Sequence, residues 1–386
     1  MKKIKVLEMI DLPFLGGGQI NLLSIAKSLD MTKFEVFVCS RGSGPLVDEA
    51  EKNDIRHFPV LFSKKINRKV FQEIAFILKS NKIDILHTHG GVAGFYGRWA
   101  ANKNNIPVVV HTLHGIHYLH YRNCLLKHFY ILLERYFSRF TDALIFVSDA
   151  DRKKGKKFKL APEDRIYVIK NGIDFSAFLA EKNSMDFKRQ WKRELGIESF
   201  QPVVGTVSRL HRQKGIPYLL EAAKKILKVF PAAKILIVGE GPQRQKLESL
   251  NRRLGLENYV LFLGERKDAQ QFLSLFDVFI LPSLWEGLPY VLMEAAALGK
   301  PVVATDVDGV KEMVRDGESG ILVPSKNPES LARSVIQLIQ DRSYALELGK
   351  ELKKEISQKY TLSSMVEQIQ SLYLELYGRS DSITVN

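Results

Sequence analysis

Short runs rich in β-branched and other apolar residues alternate with longer segments of helical periodicity along the whole chain. In the first half the runs are IKVLEMI (4–10), FEVFVCS (34–40), IRHFPVL (55–61), IDILHTH (83–89), PVVVHTL (107–113) and DALIFVS (142–148). In the second half they are PVVGTVS (202–208), KILIVGE (234–240), VLFLGE (260–265), VFILPS (278–283) and PVVATDV (301–307). Between them lie helical stretches such as GQINLLSIAKSLD (18–30) and GIPYLLEAAKKILKVF (215–230). This alternation predicts an α/β protein of two halves, each a doubly wound parallel sheet with crossover helices. Residues 175–200 are polar and charged, and ESFQP reads as a linker, so the expected domains are 1–180 and 198–360. The segment from about 361 to 386 opens with a Thr/Ser cap signal and carries helical periodicity, which predicts a closing helix.

Composition narrows the class. At 386 residues, with 45% hydrophobic and 26% charged, the chain suits two ordinary folded domains rather than a disordered one. The start, MKKIKVLEMIDLPFL, is interrupted by Glu8, Asp11 and Pro13 where a signal peptide would be apolar, so it reads as a first strand. No apolar run approaches the roughly 20 residues of a membrane-spanning helix. Two cysteines, Cys39 and Cys124, have neither metal-binding nor redox spacing, and a reduced cytoplasmic home is expected.

The net charge of +14 sits in one half: residues 1–195 carry 33 Lys+Arg against 20 Asp+Glu. RKKGKKFK (152–159) and KKINRK (64–69) are its densest clusters. Such clusters attract phosphates of nucleic acid or anionic lipid, or form a solvated basic face.

In an open α/β sheet ligands bind beyond the carboxyl ends of the strands, so the strand-end residues are the candidates for chemistry. After the first strand, Gly16, Gly17 and Gly18 lead into a helix, where backbone amides and the helix end can meet an anion or simply turn the chain. VVGTVSRL opens the second half and places Arg209 and Lys214 around a strand-to-helix turn, which suits a diphosphate. Gly239 to Gly241 form another glycine turn at a strand end. WEGLPYVLMEAAALGKPVVATD sets Glu286 beside Gly287, Leu288 and Pro289, and Glu294 within the following helix. A carboxylate accepts two hydroxyl hydrogens and so suits a sugar diol, although acidic residues also serve helix starts.

Histidines crowd the first half at positions 87, 89, 111, 114, 117 and 120. No Cys or Glu joins them at ligand spacing, which argues against zinc, and packing or hydrogen bonding is the reading for most. His114, just before Gly115 at a strand end, is the candidate for a functional role. Asp306 and Asp308 offer a D-x-D pattern, but their place after a strand reads as a loop and helix cap.

Taken in order, the GGG loop, NGID (171–174), GTVSRLHRQKG, VGEGP and EGLPYVLMEAAALGKPVVATDVDGVKEMV resemble the family 4 glycosyltransferases over nearly the whole chain, most specifically in the E-x7-E element. The resemblance implies the GT-B fold: two facing Rossmann-like domains, the first for the acceptor and the second for a nucleotide-sugar, with the last helix returning to the first. It further implies that Glu286 contacts the donor sugar, that Gly287, Leu288 and Pro289 approach it and its phosphates, and that Glu294 binds the ribose. Arg209 and Lys214 match the family's basic pair on the diphosphate, and His114 its histidine near the transferred sugar. Gly17, Gly18 and Gly241 fall on the glycine loops of the nucleotide-sugar site. Gln19 departs from the family, many members of which have Glu there. Retention at the anomeric carbon, no cofactor and no essential metal are implied.

The expected function is therefore transfer of a hexose or N-acetylhexosamine from a nucleotide-sugar, UDP-linked by preference, to a glycan or lipid-linked acceptor. The basic first half, with NCLLKHFYILLERYFSRF (123–140), favours an anionic membrane surface as partner and peripheral placement on the inner face of the plasma membrane. A sugar-nucleotide epimerase on the same architecture is the rival among enzymes. A basic nucleic-acid-binding protein is the rival from another class, but no motif interleaving basic and aromatic residues supports nucleic acid as a partner.

Overall fold

The computed structural model describes residues 3–63, 65–182 and 185–384, so Lys64 of the second basic cluster lies outside the described residues. Two compact units appear: one runs to Gly172 and takes in the chain from Leu362 onward, and the other spans Ile173–Thr361. In the first, β1 (Ile4–Ile10), β2 (Phe34–Ser40), β3 (Arg56–Pro59), β4 (Ile85–His89), β5 (Val108–Leu113), β6 (Ala143–Phe146) and β7 (Ile166–Val168) form a parallel sheet. Its order is β3-β2-β1-β4-β5-β6-β7. The second unit holds β8 (Val203–Val207), β9 (Lys234–Val238), β10 (Val260–Gly264), β11 (Val278–Leu281), β12 (Val302–Thr305) and β13 (Ile321–Val323), ordered β10-β9-β8-β11-β12-β13. Both sheets are doubly wound, as the alternating pattern predicts.

Alternation along β1 divides the first core. Val6 and Ile10 face a cluster that includes Met365, Ile369, Leu372 and Tyr373 of the last helix, while Leu7 and Met9 face the opposite cluster with Tyr96 and Ala100. The helix Leu362–Thr384 is thus part of the first unit's core, as its periodicity predicts. Glu8 lies on the same face of the strand as Val6 and Ile10, fully buried beneath that helix.

Two expectations change. The polar stretch 175–200 is mostly helical, Phe175–Lys182 and Met185–Glu194, and belongs to the second unit, so the first unit ends at Gly172 rather than 180, while ESFQP (198–202) carries no helix. Its anchor is aromatic: Phe187 and Trp191 meet Phe272 at 5.2 and 4.8 Å, and Arg266 lies 4.2 Å over Trp191. Two aromatic residues four apart make one helical face among otherwise polar positions. The strands β7 and β13 are each only three residues long, too short for a periodic signal.

Each sheet reverses its winding once, at β1/β4 and at β8/β11, and a doubly wound sheet opens a crevice at that reversal. In the second unit a glycine sets its dimensions. Gly215 has φ +63°, and a Cβ there would lie 2.0 Å from the Pro282 carbonyl oxygen, so the turn after β8 packs backbone to backbone against the chain leaving β11. The Leu284 amide donates to the Gln213 carbonyl at 2.7 Å across the same approach. Gly215→Ala is expected to lower stability by about 1–3 kcal/mol through steric overlap at a strained φ, read as an earlier urea midpoint.

Candidate functional site

The turn after β8 and the turn after β11 meet at Glu286. Its Oε1 accepts from Lys214 Nζ at 2.6 Å and from the Ser283 hydroxyl at 2.6 Å, and its Oε2 accepts from Gln213 Nε2 at 3.3 Å. Gln213 also donates to the Trp285 carbonyl at 2.9 Å, and Thr305 Oγ1 ties down the Ser283 carbonyl. Glu286 is only 6% exposed and Lys214 17%, so the pair interacts largely out of water. A carboxylate has about four lone-pair sites and an ammonium three hydrogens. Three of the former and one of the latter are engaged in these bonds, which leaves one acceptor site on Glu286 and two donors on Lys214 for a ligand.

Three cations gather at this turn. Arg209 is exposed at the end of the β8 strand, and the His211 imidazole is held below its ordinary value first by burial and then by Arg209, Lys214 and Arg212. The turn after β9 is packed onto the same loop: a Cβ at Gly241 would lie 2.5 Å from the Leu210 carbonyl oxygen, and the Gln243 amide donates to that oxygen at 3.0 Å.

Beyond Glu286 the chain turns through Gly287 and the buried Leu288 to Pro289, which occupies the N-cap position of helix Tyr290–Ala297. A Cβ at Gly309 would fall 1.4 Å from the Gly287 carbonyl oxygen, so the chain after β12 supports this loop from below. Glu294 is buried inside that helix, and its Oε1 accepts from Gln270 at 3.2 Å. Asp306 pairs with Lys311 at 3.0 Å; Asp308 is the first residue of the short helix Asp308–Lys311, with Val307 in the cap position rather than either aspartate. Lys214, Glu286, Gly287, Leu288, Pro289 and Glu294 therefore lie on consecutive turns of one unit, with Arg209 and Gly241 at its flank.

His114 belongs to the other unit. Its Nε2 meets His89 Nδ1 at 2.9 Å, and the two rings stack with centroids 5.2 Å apart. His89 Nε2 meets Glu8 Oε2 at 2.7 Å, and Tyr373 of the last helix donates to Glu8 Oε1 at 2.7 Å. The β1/β4 register sets Glu8 beside His87 and Ile10 beside His89. Gly18 joins them: a Cβ there would sit 3.2 Å from His114 Cδ2, so the glycine loop leaves the imidazole its room. Gly17 opens helix Gly17–Ser28, and Gln19 donates to the Leu12 carbonyl at 3.0 Å.

Burial alone would push the Glu8 carboxyl up; the neighbouring imidazoles of His87 and His89 outweigh it and hold it well below the usual carboxylate range. Burial pushes His89 down to about 4 and His114 well below the ordinary imidazole value. The expectation that no acidic residue joins the histidines is corrected here, because Glu8, distant in sequence, arrives on the neighbouring strand. Glu8, His87 and His89 have ligand atoms within 4.8 Å of one another, close enough to share a cation, but hydrogen bonds already account for those atoms. His111 instead packs against Gly94 and bonds Thr88 at 2.8 Å, and His117 and His120 lie on a short 3-10 turn.

Glu8, His89, Tyr373, Gln213, Ser283 and Gln270 had no individual signal in the sequence beyond one: a glutamate in the middle of the apolar run IKVLEMI demands a buried partner.

Known proteins resemble this chain over most of its length. The family description "Glycosyl transferases group 1" matches residues 187–357, and "Glycosyltransferase Family 4" matches residues 15–177. The Escherichia coli UDP-Gal:alpha-D-GlcNAc-diphosphoundecaprenol alpha-1,3-galactosyltransferase is 29% identical over 381 residues, covering 97% of each chain. An uncharacterized glycosyltransferase of Methanocaldococcus jannaschii is 30% identical, over 78% of this chain and 79% of that one. The crystal structure of Anabaena HepE, in complex with UDP and glucose, superposes with a TM-score of 0.84 at 23% identity, covering 96% of this chain and 100% of that one. With paired Rossmann-like domains of the GT-B type, matched family by family along its length, the chain belongs to the group 1 glycosyltransferases of family 4.

Proposed function

We propose that this glycosyltransferase moves a hexose or N-acetylhexosamine from a UDP-sugar to a lipid-linked glycan precursor, with retention at the anomeric carbon and without an essential metal. The observation that carries the reading is the buried Lys214–Glu286 pair at the β8/β11 reversal, with donors and an acceptor site still free. Lys214 and Arg209 offset the charge of the diphosphate, the amides of Gly287 and Leu288 at a helix start add to them, and Glu286 accepts a hydroxyl of the transferred sugar. Glu294 accepts from the ribose, and Gly241 lets the chain approach the phosphates. His114 and the Gly17–Gly18 loop serve the sugar and acceptor side.

In the transfer the bond from the anomeric carbon to the diphosphate oxygen breaks, and its electron pair leaves with that oxygen. The acceptor hydroxyl attacks from the same face, and its proton passes to the departing diphosphate. This route needs no protein nucleophile. Lys214→Ala should lower kcat/KM about a hundredfold, roughly 3 kcal/mol of lost charge stabilisation. The test is a radiolabelled transfer assay with UDP-, GDP- and ADP-sugars on a diphosphate-linked polyprenyl sugar. Transfer from a UDP-sugar supports the reading, while consumption of the nucleotide-sugar with no acceptor present would favour an epimerase instead.

The E. coli relative acts, by its name, on a diphosphoundecaprenol-linked sugar, and the first unit carries a surface suited to such a substrate. On helix Cys124–Ser138, Leu125, Phe129, Leu132 and Tyr136 form one stripe, all more than half exposed. Basic residues flank it on one side: Arg135 bonds the Phe158 carbonyl at 2.7 Å, which brings the lysines of 153–159 alongside. An apolar stripe flanked by cations suits the interface of an anionic leaflet, and among the described residues no helix is long and apolar enough to cross a membrane. Sedimentation with phosphatidylglycerol vesicles at low salt should carry the protein down, and Phe129→Asp with Leu132→Asp should reduce the bound fraction at least fivefold. Equal sedimentation with uncharged vesicles would remove the anionic surface from the proposal, and no sedimentation with either would remove the membrane.

A further inference from the structure

The hydrogen bonds around Glu8 run in one direction. Tyr373 donates its only hydrogen to Glu8 Oε1, so the hydroxyl oxygen accepts at its other contact, from His87 Nδ1 at 2.6 Å. An ionised carboxylate can only accept, so His89 must carry its hydrogen on Nε2, where it meets Glu8 Oε2. A neutral imidazole has one N–H, so His89 Nδ1 presents a lone pair and His114 Nε2 must donate to it. His114 in turn is left with a bare Nδ1. That atom is buried and has no hydrogen-bond partner among the described residues. An unsatisfied buried acceptor is costly, and its retention fits a donor that arrives with the substrate.

We infer that Glu8, acting through His89 and steadied by Tyr373 of the last helix, fixes His114 as the Nε2–H tautomer, so that Nδ1 is offered as a hydrogen-bond acceptor to a substrate hydroxyl. Glu8, His89 and Tyr373 are positioning residues; they touch no substrate. The inference deepens the proposed function and rests on its reading of His114 as a sugar or acceptor contact. It assigns the hydroxyl-bearing substrate a donor role at that contact, which an imidazolium could not receive. The groups facing His114 are His89, His87 and His117, with Glu8 as the anion, and Gly18 lies against the Cδ2 edge of the ring without a side chain. Burial, then the neighbouring imidazoles, keep His114 unprotonated as pH falls through about 6.5, the value at which an ordinary imidazole takes up its proton.

The test is nitrogen-15 imidazole spectroscopy on the full chain with labelled histidine, read alongside kinetics. In the wild type at pH 7 His114 should show the neutral Nε2–H pattern, and kcat should be flat from pH 6 to 8. Glu8→Gln can donate to His89 Nε2 and so reverse the chain of bonds, moving the His114 hydrogen to Nδ1. It should then lower kcat by about 10- to 100-fold while the donor KM changes less than threefold, the span expected for one lost buried hydrogen bond. Tyr373→Phe keeps the carboxylate and should keep the tautomer. An Nδ1–H or imidazolium pattern in the wild type overturns the inference even if Glu8→Gln fails to fold, and so does a folded Glu8→Gln with an unmoved tautomer. Full activity in His114→Ala would instead sink the substrate-contact reading, and the spectra would still decide the tautomer.

Discussion

The contact on which the second unit depends is the short, nearly dry ion pair between Lys214 and Glu286. Taking two charges out of water costs several kcal/mol each, and their attraction repays this only when further hydrogen bonds complete the shell. Ser283 and Gln213 supply them. Such a pair contributes little net stability compared with apolar residues of the same volume, yet losing one partner leaves a buried charge at a cost of about 3–5 kcal/mol. A pair of this kind is better explained by what it holds ready. Lys214 is fixed with donors to spare and Glu286 with an acceptor site to spare, before any ligand arrives, so little reorganisation remains for binding.

The first unit repeats the logic with different chemistry. At its own winding reversal a carboxylate is again buried among donors, but these are imidazoles and a phenol rather than an ammonium. The second unit's carboxylate meets a fixed cation, which suits a diphosphate, and the first unit's carboxylate meets imidazole rings, which suits uncharged hydroxyls. The backbone makes both possible. Gly215 lets two turns touch at Glu286, and Gly18 leaves space for the ring of His114.

How much of this was legible in the sequence follows from the range of each signal. The parallel sheets and the closing helix were readable because burial imposes a period on long stretches. The three-residue strands β7 and β13 carry no period, and helix Met185–Glu194 is held by two aromatics on a surface otherwise polar, so its composition showed charge rather than a helix. Glu286, Lys214 and the Gly-Leu-Pro loop were visible because several unusual residues fall at strand ends in short order. Gln213, Ser283 and Gln270 were not, since ordinary polar residues near a site look like any others. The Glu8–His89–His114 chain was invisible for a topological reason: strands adjacent in the sheet, β1 and β4, are far apart along the chain.

Central to the account is that Lys214 and Glu286 act as one preassembled unit on the donor. Calorimetric titration of a UDP-sugar into the wild type, Lys214→Ala, Glu286→Ala and the double variant measures this directly. Each single change should weaken binding by tenfold or more, and the double variant should fall short of the product of the two, with a coupling of about 1–3 kcal/mol. Strictly multiplicative effects, or unchanged affinity in either single variant, would contradict it.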